Sequence, residues 1–156
     1  MTPAEPPRDT DISRLAPLFA ARVAVTLSRA RIAGLDPLIF EAWRSDERQR
    51  WLYGVGRTHS LGRTPVTNAQ SALYSWHGYG LAVDIVSRSK LWDDESFFER
   101  LALIAKVAGL DWGGDWSSRD LPHFQYGTLR AGPSAKARAL MKSGGLLAVW
   151  AEVGAV

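Results

Sequence analysis

One carboxylate in the middle of an apolar strand restricts this chain more than any other feature. In Gly80-Leu-Ala-Val-Asp-Ile-Val86, Asp84 interrupts a run that otherwise reads as buried. Two-residue alternation puts Leu81, Val83 and Ile85 on one face and Ala82, Asp84 and Val86 on the other. A carboxylate in apolar surroundings is costly unless it is paired, hydrogen-bonded or bound to a metal. Taken alone, Asp84 suits a structural ion pair as well as it suits a ligand. The fold must bring it a partner of one kind or the other.

Two histidines are candidates. His77 lies upstream in a tight turn between Trp76 and Gly78, and Gly80 lets the backbone bend so that imidazole and carboxylate converge. His123 leads into a second short strand, Phe124-Gln-Tyr126, and shares a face with Gln125 by alternation. In isolation His123 reads as a satisfied core histidine. Two histidines and one carboxylate together are a familiar three-ligand set for catalytic zinc, leaving a fourth position for water. The chain has no cysteine, so thiolate zinc fingers, iron–sulfur sites, disulfide scaffolds and cysteine nucleophiles are excluded. Any metal site must be built from His, Asp and Glu.

Asp120 stands three residues before His123, with Pro122 stiffening the link. That spacing can hold a carboxylate close to the reacting water without making it a ligand. The alternative is a loop aspartate capping a turn. Asp115, between Gly114 and Trp116, is the rival for the acid–base role and ranks second because it reads as a turn position. His59 reads as a loop residue rather than a ligand.

The 156 residues make one domain, and 46% apolar against 22% charged residues allow a buried core. A net charge of +3 is too even for a dedicated nucleic-acid binder, despite a sequence pI of about 9.5. The mild basic excess suits an anionic polymer such as a bacterial cell wall. No apolar run reaches the roughly 20 residues a membrane helix needs. Leu15 to Leu27 is broken by Arg22 and preceded by Glu5, Asp9 and Asp11, the wrong charge for a secretory leader. The expectation is a monomer made in the cytoplasm without a signal peptide, with no membrane insertion and no nucleic-acid partner.

Residues 1–10, rich in proline and charge, read as a disordered lead-in, and residues 11–156 as a single catalytic domain. Asp11 or Ser13 caps a helix expected to run to about Ala33 and to end at Gly34. Leu38 to Trp43 reads as a strand, Asp46 to Val55 as a helix closed by Gly56, and Arg57 to Tyr74 as a long functional loop. Gly80 to Val86 follows as a strand and Asp93 to Ala108 as the clearest amphipathic helix. A Trp112-Gly-Gly-Asp-Trp116 turn, a strand from Pro122 to Tyr126, and a helical tail from Ser134 broken at Gly144-Gly145 complete the chain. Helices and short strands without regular β-α-β alternation indicate an α+β domain.

The residues Ser75, His77, Gly80, Ala82 and Asp84 complete the pattern Ser-x-His-x-x-Gly-x-Ala-x-Asp. Asp120, Pro122 and His123 supply an acidic residue two before Pro-His, and Arg44, Ser45 and Gln49 supply Arg-Ser-x-x-x-Gln. In these elements the chain resembles zinc peptidases that cut bacterial peptidoglycan stems. That family includes D-alanyl-D-alanine carboxypeptidases, vancomycin-resistance dipeptidases and phage endolysins acting as L-alanyl-D-glutamate peptidases. Gly56-Arg-Thr58, Val66-Thr-Asn-Ala69 and the Gly-Gly-Asp-Trp turn resemble the endolysin branch. One departure is Leu73-Tyr74, where endolysin relatives carry Gly-Gln. The likeness spans about Leu38 to Tyr126.

The resemblance implies a small antiparallel sheet with flanking helices, the Hedgehog/D,D-peptidase-like zinc peptidase fold. It implies that His77, Asp84 and His123 bind Zn²⁺, that Asp120 is general base and acid, and that Arg44 steadies the substrate oxyanion. Arg44 alternatively reads as a surface ion-pair partner of Asp46 or Glu47, and Ser75 as a simple cap. Ser75, Gln49, Trp76 and Trp116 are the expected substrate contacts. The implied activity is hydrolysis of the L-alanyl-D-glutamate amide of peptidoglycan, after release of the enzyme to the wall. A D-alanyl-D-alanine carboxypeptidase is the near alternative. A catalytically inactive, zinc-stabilised wall-binding module is the alternative of another class.

Overall fold

The computed structural model describes residues 2–156. Four helices surround one four-stranded sheet, in the order α1 (Pro17–Ile32), β1 (Pro37–Glu41), α2 (Asp46–Gly54), β2 (Ala82–Ser87), α3 (Glu95–Val107), β3 (Leu110–Trp112), β4 (His123–Tyr126) and α4 (Ala135–Val153). The strands lie in the order β1-β2-β4-β3, and every neighbouring pair is antiparallel. This is the expected α+β architecture with a small antiparallel sheet.

One face of the sheet builds the core. Val83 of β2 is level with Phe124 of β4, which is level with Trp112 of β3. Tyr126 of β4 meets Phe19 of α1 edge-to-face at 6.4 Å. Val23 and Leu27 of α1 and Phe98 and Leu101 of α3 join the same buried cluster. Each such side chain contributes roughly 1.5–3 kcal/mol by leaving water. The opposite face carries the polar row that becomes the site.

The helices start and stop for local reasons, and the first corrects an expectation. Helix α1 begins at Pro17 rather than at Asp11 or Ser13. A residue before proline is pushed out of the helical region, and Ala16 is extended accordingly, with ψ 136°. Asp11 instead caps a separate 3-10 turn, Ile12–Arg14. Ser45, Asp94 and Ser134 cap α2, α3 and α4 by accepting from Arg48, Phe97 and Ala137 backbone N–H groups. Helix α4 is interrupted at Gly145, whose φ of 69° and ψ of −164° are not helical.

Two further differences from the sequence reading matter. Strand β3 is too short at three residues to display a period, and only its last residue, Trp112, falls within the expected turn. Residues 2–10 of the lead-in expected to be disordered hold no helix or strand but are tied to the body. Ala42 N–H donates to Asp9 O at 2.7 Å, Trp51 Nε1 to Pro3 O at 3.0 Å, and Arg48 Nη1 to Pro6 O at 2.7 Å. Arg8 lies 3.9 Å over the Phe40 ring. Polar, proline-rich composition conceals this, because the arm is held mainly through its backbone carbonyls, which composition does not report. Its prolines also lower the entropy lost on ordering.

Candidate metal centre

The site sits where β2, β4 and the turn before β2 meet. Asp84 and His123 are direct cross-strand partners in the β2–β4 ladder, so their side chains share a face. His77 comes from the 3-10 turn Trp76–Tyr79, which ends at Gly80 in the left-handed conformation with φ 65°. Gly80 thereby turns the chain from the histidine into the strand. Gly78 is needed for a different reason: a Cβ there would lie 2.4 Å from Ala72 O. The result brings ligand atoms of His77, Asp84 and His123 within 4.8 Å of one another.

Both imidazoles are held with one nitrogen facing Asp84. His77 Nδ1 lies 2.9 Å from Ala42 O, which can only accept, so Nδ1 carries the proton and Nε2 is left toward Asp84 Oδ1 at 3.3 Å. His123 Nε2 lies 2.9 Å from Gln125 Oε1, and its Nδ1 stands 3.7 Å from Asp84 Oδ1. The Gln125 amide is itself fixed, because its Nε2 donates to Leu129 O and Arg130 O at 3.3 and 2.9 Å. Outer partners of this kind set tautomer and ring orientation in metal sites.

The electrostatics suit a cation. Burial disfavours a charged Asp84, but His77, Arg44 and His123 outweigh it and hold the carboxyl well below its ordinary value. Burial, helped by the charge of His77, lowers His123 to about 4, so it is a neutral lone-pair donor at pH 7. Two imidazole nitrogens and one carboxylate oxygen fit a borderline divalent cation such as Zn²⁺ with an open fourth position.

Asp120 stands at the edge of the group, its Oδ2 3.9 Å from His123 Nδ1. Its side chain is half exposed at the rim of the cleft, yet partial desolvation there and the nearby Asp84 charge raise its carboxyl from 3.8 to about 6, against the opposing pull of His77 and Arg44. Asp115, the rival, is exposed and ion-paired with Lys106 at 2.6 Å. His59 is also away from the group, its Nε2 2.8 Å from Trp51 O.

A cleft of about 620 Å³ opens over these groups, lined by Arg44, Ser75, Trp76, His77, Asp84, Trp116, Asp120 and His123. Val66 to Ala69 of the long loop form part of its wall. Trp116 packs against the His123 ring at 5.0 Å, and Trp76 donates from Nε1 to Arg130 O at 2.7 Å. Ser75 precedes its turn without a side-chain capping bond, which removes the plain cap explanation.

Two expectations are corrected. Gln49 does not line the cleft; it is fully buried, accepting from Arg44 Nη1 at 2.8 Å and donating to Ala69 O at 2.7 Å. Helix α2 points it inward, where it links Arg44 to the loop instead of touching substrate. Arg44 is likewise not a surface residue paired with Asp46 or Glu47. It is 8% exposed, and Nη2 meets Glu41 Oε2 at 2.8 Å and Asp84 Oδ2 at 3.5 Å. Asp46 is taken by Arg50 at 2.6 Å.

Glu41, Arg48 and Gln125 are buried around the site and were not singled out from the sequence. The signal for Glu41 was the one that exposed Asp84: a carboxylate at the end of the apolar stretch Leu38–Phe40. For Gln125 it was alternation with His123.

Two imidazoles and one carboxylate at the floor of an open cleft define a candidate divalent-cation centre. Residues 68–126 match the D-alanyl-D-alanine carboxypeptidase family. The chain is 34% identical over 126 residues to the peptidoglycan L-alanyl-D-glutamate endopeptidase CwlK of Bacillus subtilis (strain 168), covering 72% of this chain and 74% of CwlK. Its fold is similar to that of the Serratia marcescens L-Ala D-Glu endopeptidase ChiX, with TM-score 0.56, 23% identity, and 77% and 90% of the two chains covered. It is also similar to a vancomycin-resistance D,D-pentapeptidase, VanY, from a VanB-type cassette in complex with Zn(II), with TM-score 0.54, 18% identity and 82% and 78% covered. The chain belongs to the peptidoglycan-cleaving peptidase family that its motifs resemble.

Proposed function

We propose that the protein is a zinc-dependent peptidase that hydrolyses the L-alanyl-D-glutamate amide of the peptidoglycan stem. The observation that carries the reading is the convergence of His77, Asp84 and His123 with Asp120 at their edge. The relationship to CwlK supports the choice of bond. The catalytic unit is residues 11–156, and the enzyme acts on the wall after release from the cell. Among the described residues, no helix is long and apolar enough to cross a membrane.

A bound zinc ion would supply Lewis-acid chemistry, acidifying the attacking water and polarising the scissile carbonyl. The protein does the rest. His77 turns Nε2 and His123 turns Nδ1 toward the shared position, and Asp84 presents Oδ1. Asp120 takes the water proton and returns it to the leaving amine, the two directions of general base and general acid. Arg44 lines the cleft with a charge that does not titrate, positioned to meet negative charge developing on the carbonyl oxygen. Trp76 and Trp116 wall the stem peptide, and Ser75 offers it a hydroxyl.

The inactive-module reading gives Asp120 no task, although a carboxylate kept beside the ligands with a raised pKa is unfavourable to the fold. Digestion of purified peptidoglycan, with mass spectrometry of the new amino termini, tests the proposal. New N-terminal glutamate, lost on chelation and restored by zinc, is expected. Release of free D-alanine instead would make the protein a carboxypeptidase.

A further inference from the structure

The network behind the metal ligands holds a carboxylate that no step above uses. Glu41 ends β1 and is 2% exposed. The β1–β2 register shifts between Ile39 and Glu41, so that Glu41 instead of Phe40 stands opposite Asp84. A bulge of this sort re-aims a side chain. Here it extends the Asp84–His123 row by one more polar residue, on the side away from His123.

Glu41 divides its two oxygens between two arginines. Oε2 accepts from Arg44 Nη2 at 2.8 Å, and Oε1 accepts from Arg48 Nε. The same Arg44 Nη2 stands 3.5 Å from Asp84 Oδ2. Asp84 is therefore divided as well, with Oδ2 toward the guanidinium and Oδ1 toward His77 and His123. Arg48 in turn pairs with Glu5 of the N-terminal arm at 2.9 Å.

The charges show why this matters. Two arginines lie behind the site, and Glu41 with Glu5 balances them. The charge of Asp84 is then left for a cation. Without Glu41, Arg44 would stand beside the site uncompensated, and fixed positive charge so close opposes a divalent ion. Arg44 would also lose the anchor that limits its hold on Asp84 to Oδ2.

We propose that Glu41 is a positioning residue for the metal centre: by holding Arg44 Nη2 against Asp84 Oδ2 and offsetting part of its charge, it reserves Asp84 Oδ1 for the ion. This rests on the metal-centre reading above. Metal-free wild type, Glu41→Gln and Arg48→Gln, each as the 156-residue chain, are titrated with Zn²⁺ against a chromophoric chelator, with circular dichroism and melting of each metal-free form. Glu41→Gln is expected to bind zinc about 10–100-fold more weakly, the usual cost of removing an outer partner. Arg48→Gln keeps the Glu41–Arg44 pair, so its zinc affinity stays near wild type even if its melting temperature falls. Should Glu41→Gln not fold, the double variant Glu41→Gln/Arg48→Gln relieves the second stranded cation and is expected to show the same weakening. A folded Glu41→Gln or double variant with wild-type zinc affinity overturns the proposal, as does equal weakening in Arg48→Gln. Wild-type protein that takes up no zinc overturns the metal-centre reading itself.

Discussion

Asp84 and His123 face one another across the β2–β4 ladder, with Asp84 Oδ1 3.7 Å from His123 Nδ1. The pairing register alone therefore sets two of the three candidate ligands. A slip of one residue would send His123 to the apolar face. The third ligand, His77, arrives by a turn whose two glycines have separate steric tasks. Four testable consequences concern the acid–base group, its titration, the metal and the turn.

Asp120→Ala is expected to retain zinc and to lose peptidoglycan hydrolysis by about 10²–10⁴-fold, the usual contribution of a general acid–base. Metal analysis and turnover on the same preparation check this. Unchanged turnover would remove Asp120 from the acid–base role.

The raised carboxyl of Asp120 also predicts a stability trade. Its folded-state value of about 6 exceeds the ordinary 3.8, so the folded protein binds this proton more tightly than the unfolded chain. Stability from this group is lost as pH rises through that interval, and the loss is complete above it. Metal-free Asp120→Asn should thus melt above metal-free wild type at pH 7.5. The gap should close as pH falls through 6 toward 4. Thermal melts across that range provide the check.

Zinc should stabilise the fold by mass action. At about 100 times Kd the gain is about 2.7 kcal/mol, or about 5–11 °C in Tm for a chain of this size. Melts of metal-free protein with and without zinc measure the rise, and excess chelator should reverse it.

Gly78→Ala should displace the His77 turn, because the new Cβ would meet Ala72 O at 2.4 Å and Ala72 Cβ at 2.8 Å. A zinc affinity at least about 10-fold weaker is expected, comparable to losing an outer partner. Gly62→Ala, where a Cβ meets nothing within 4 Å, is the matched control and should bind as wild type. Chelator competition compares the two.

The ligands were legible because their chemistry conflicts with their surroundings. Asp84 announces itself in an apolar strand, whereas His123 alone reads as a core histidine and gains meaning only beside His77 and Asp84. The element types were legible for the same reason, since α3 carries a clear helical period and caps at Asp94. What escaped notice was set by tertiary contact. The start of α1 is the exception, a local effect of Pro17 on Ala16. Strand β3 exists only because β4 lies beside it. Gln49 has the same sequence neighbours whether it faces a cleft or the interior, and only the packing of α2 turns it inward. The role of Glu41 required the β1 bulge, which no linear pattern displays.

The central claim is that His77, Asp84 and His123 share one ion. Crystals of zinc-loaded protein, measured on both sides of the zinc absorption edge, test it most directly. A single anomalous peak at about 2.0–2.2 Å from His77 Nε2, His123 Nδ1 and Asp84 Oδ1 is expected. A peak that excludes any of these three atoms, or zinc bound only elsewhere on the chain, would contradict it.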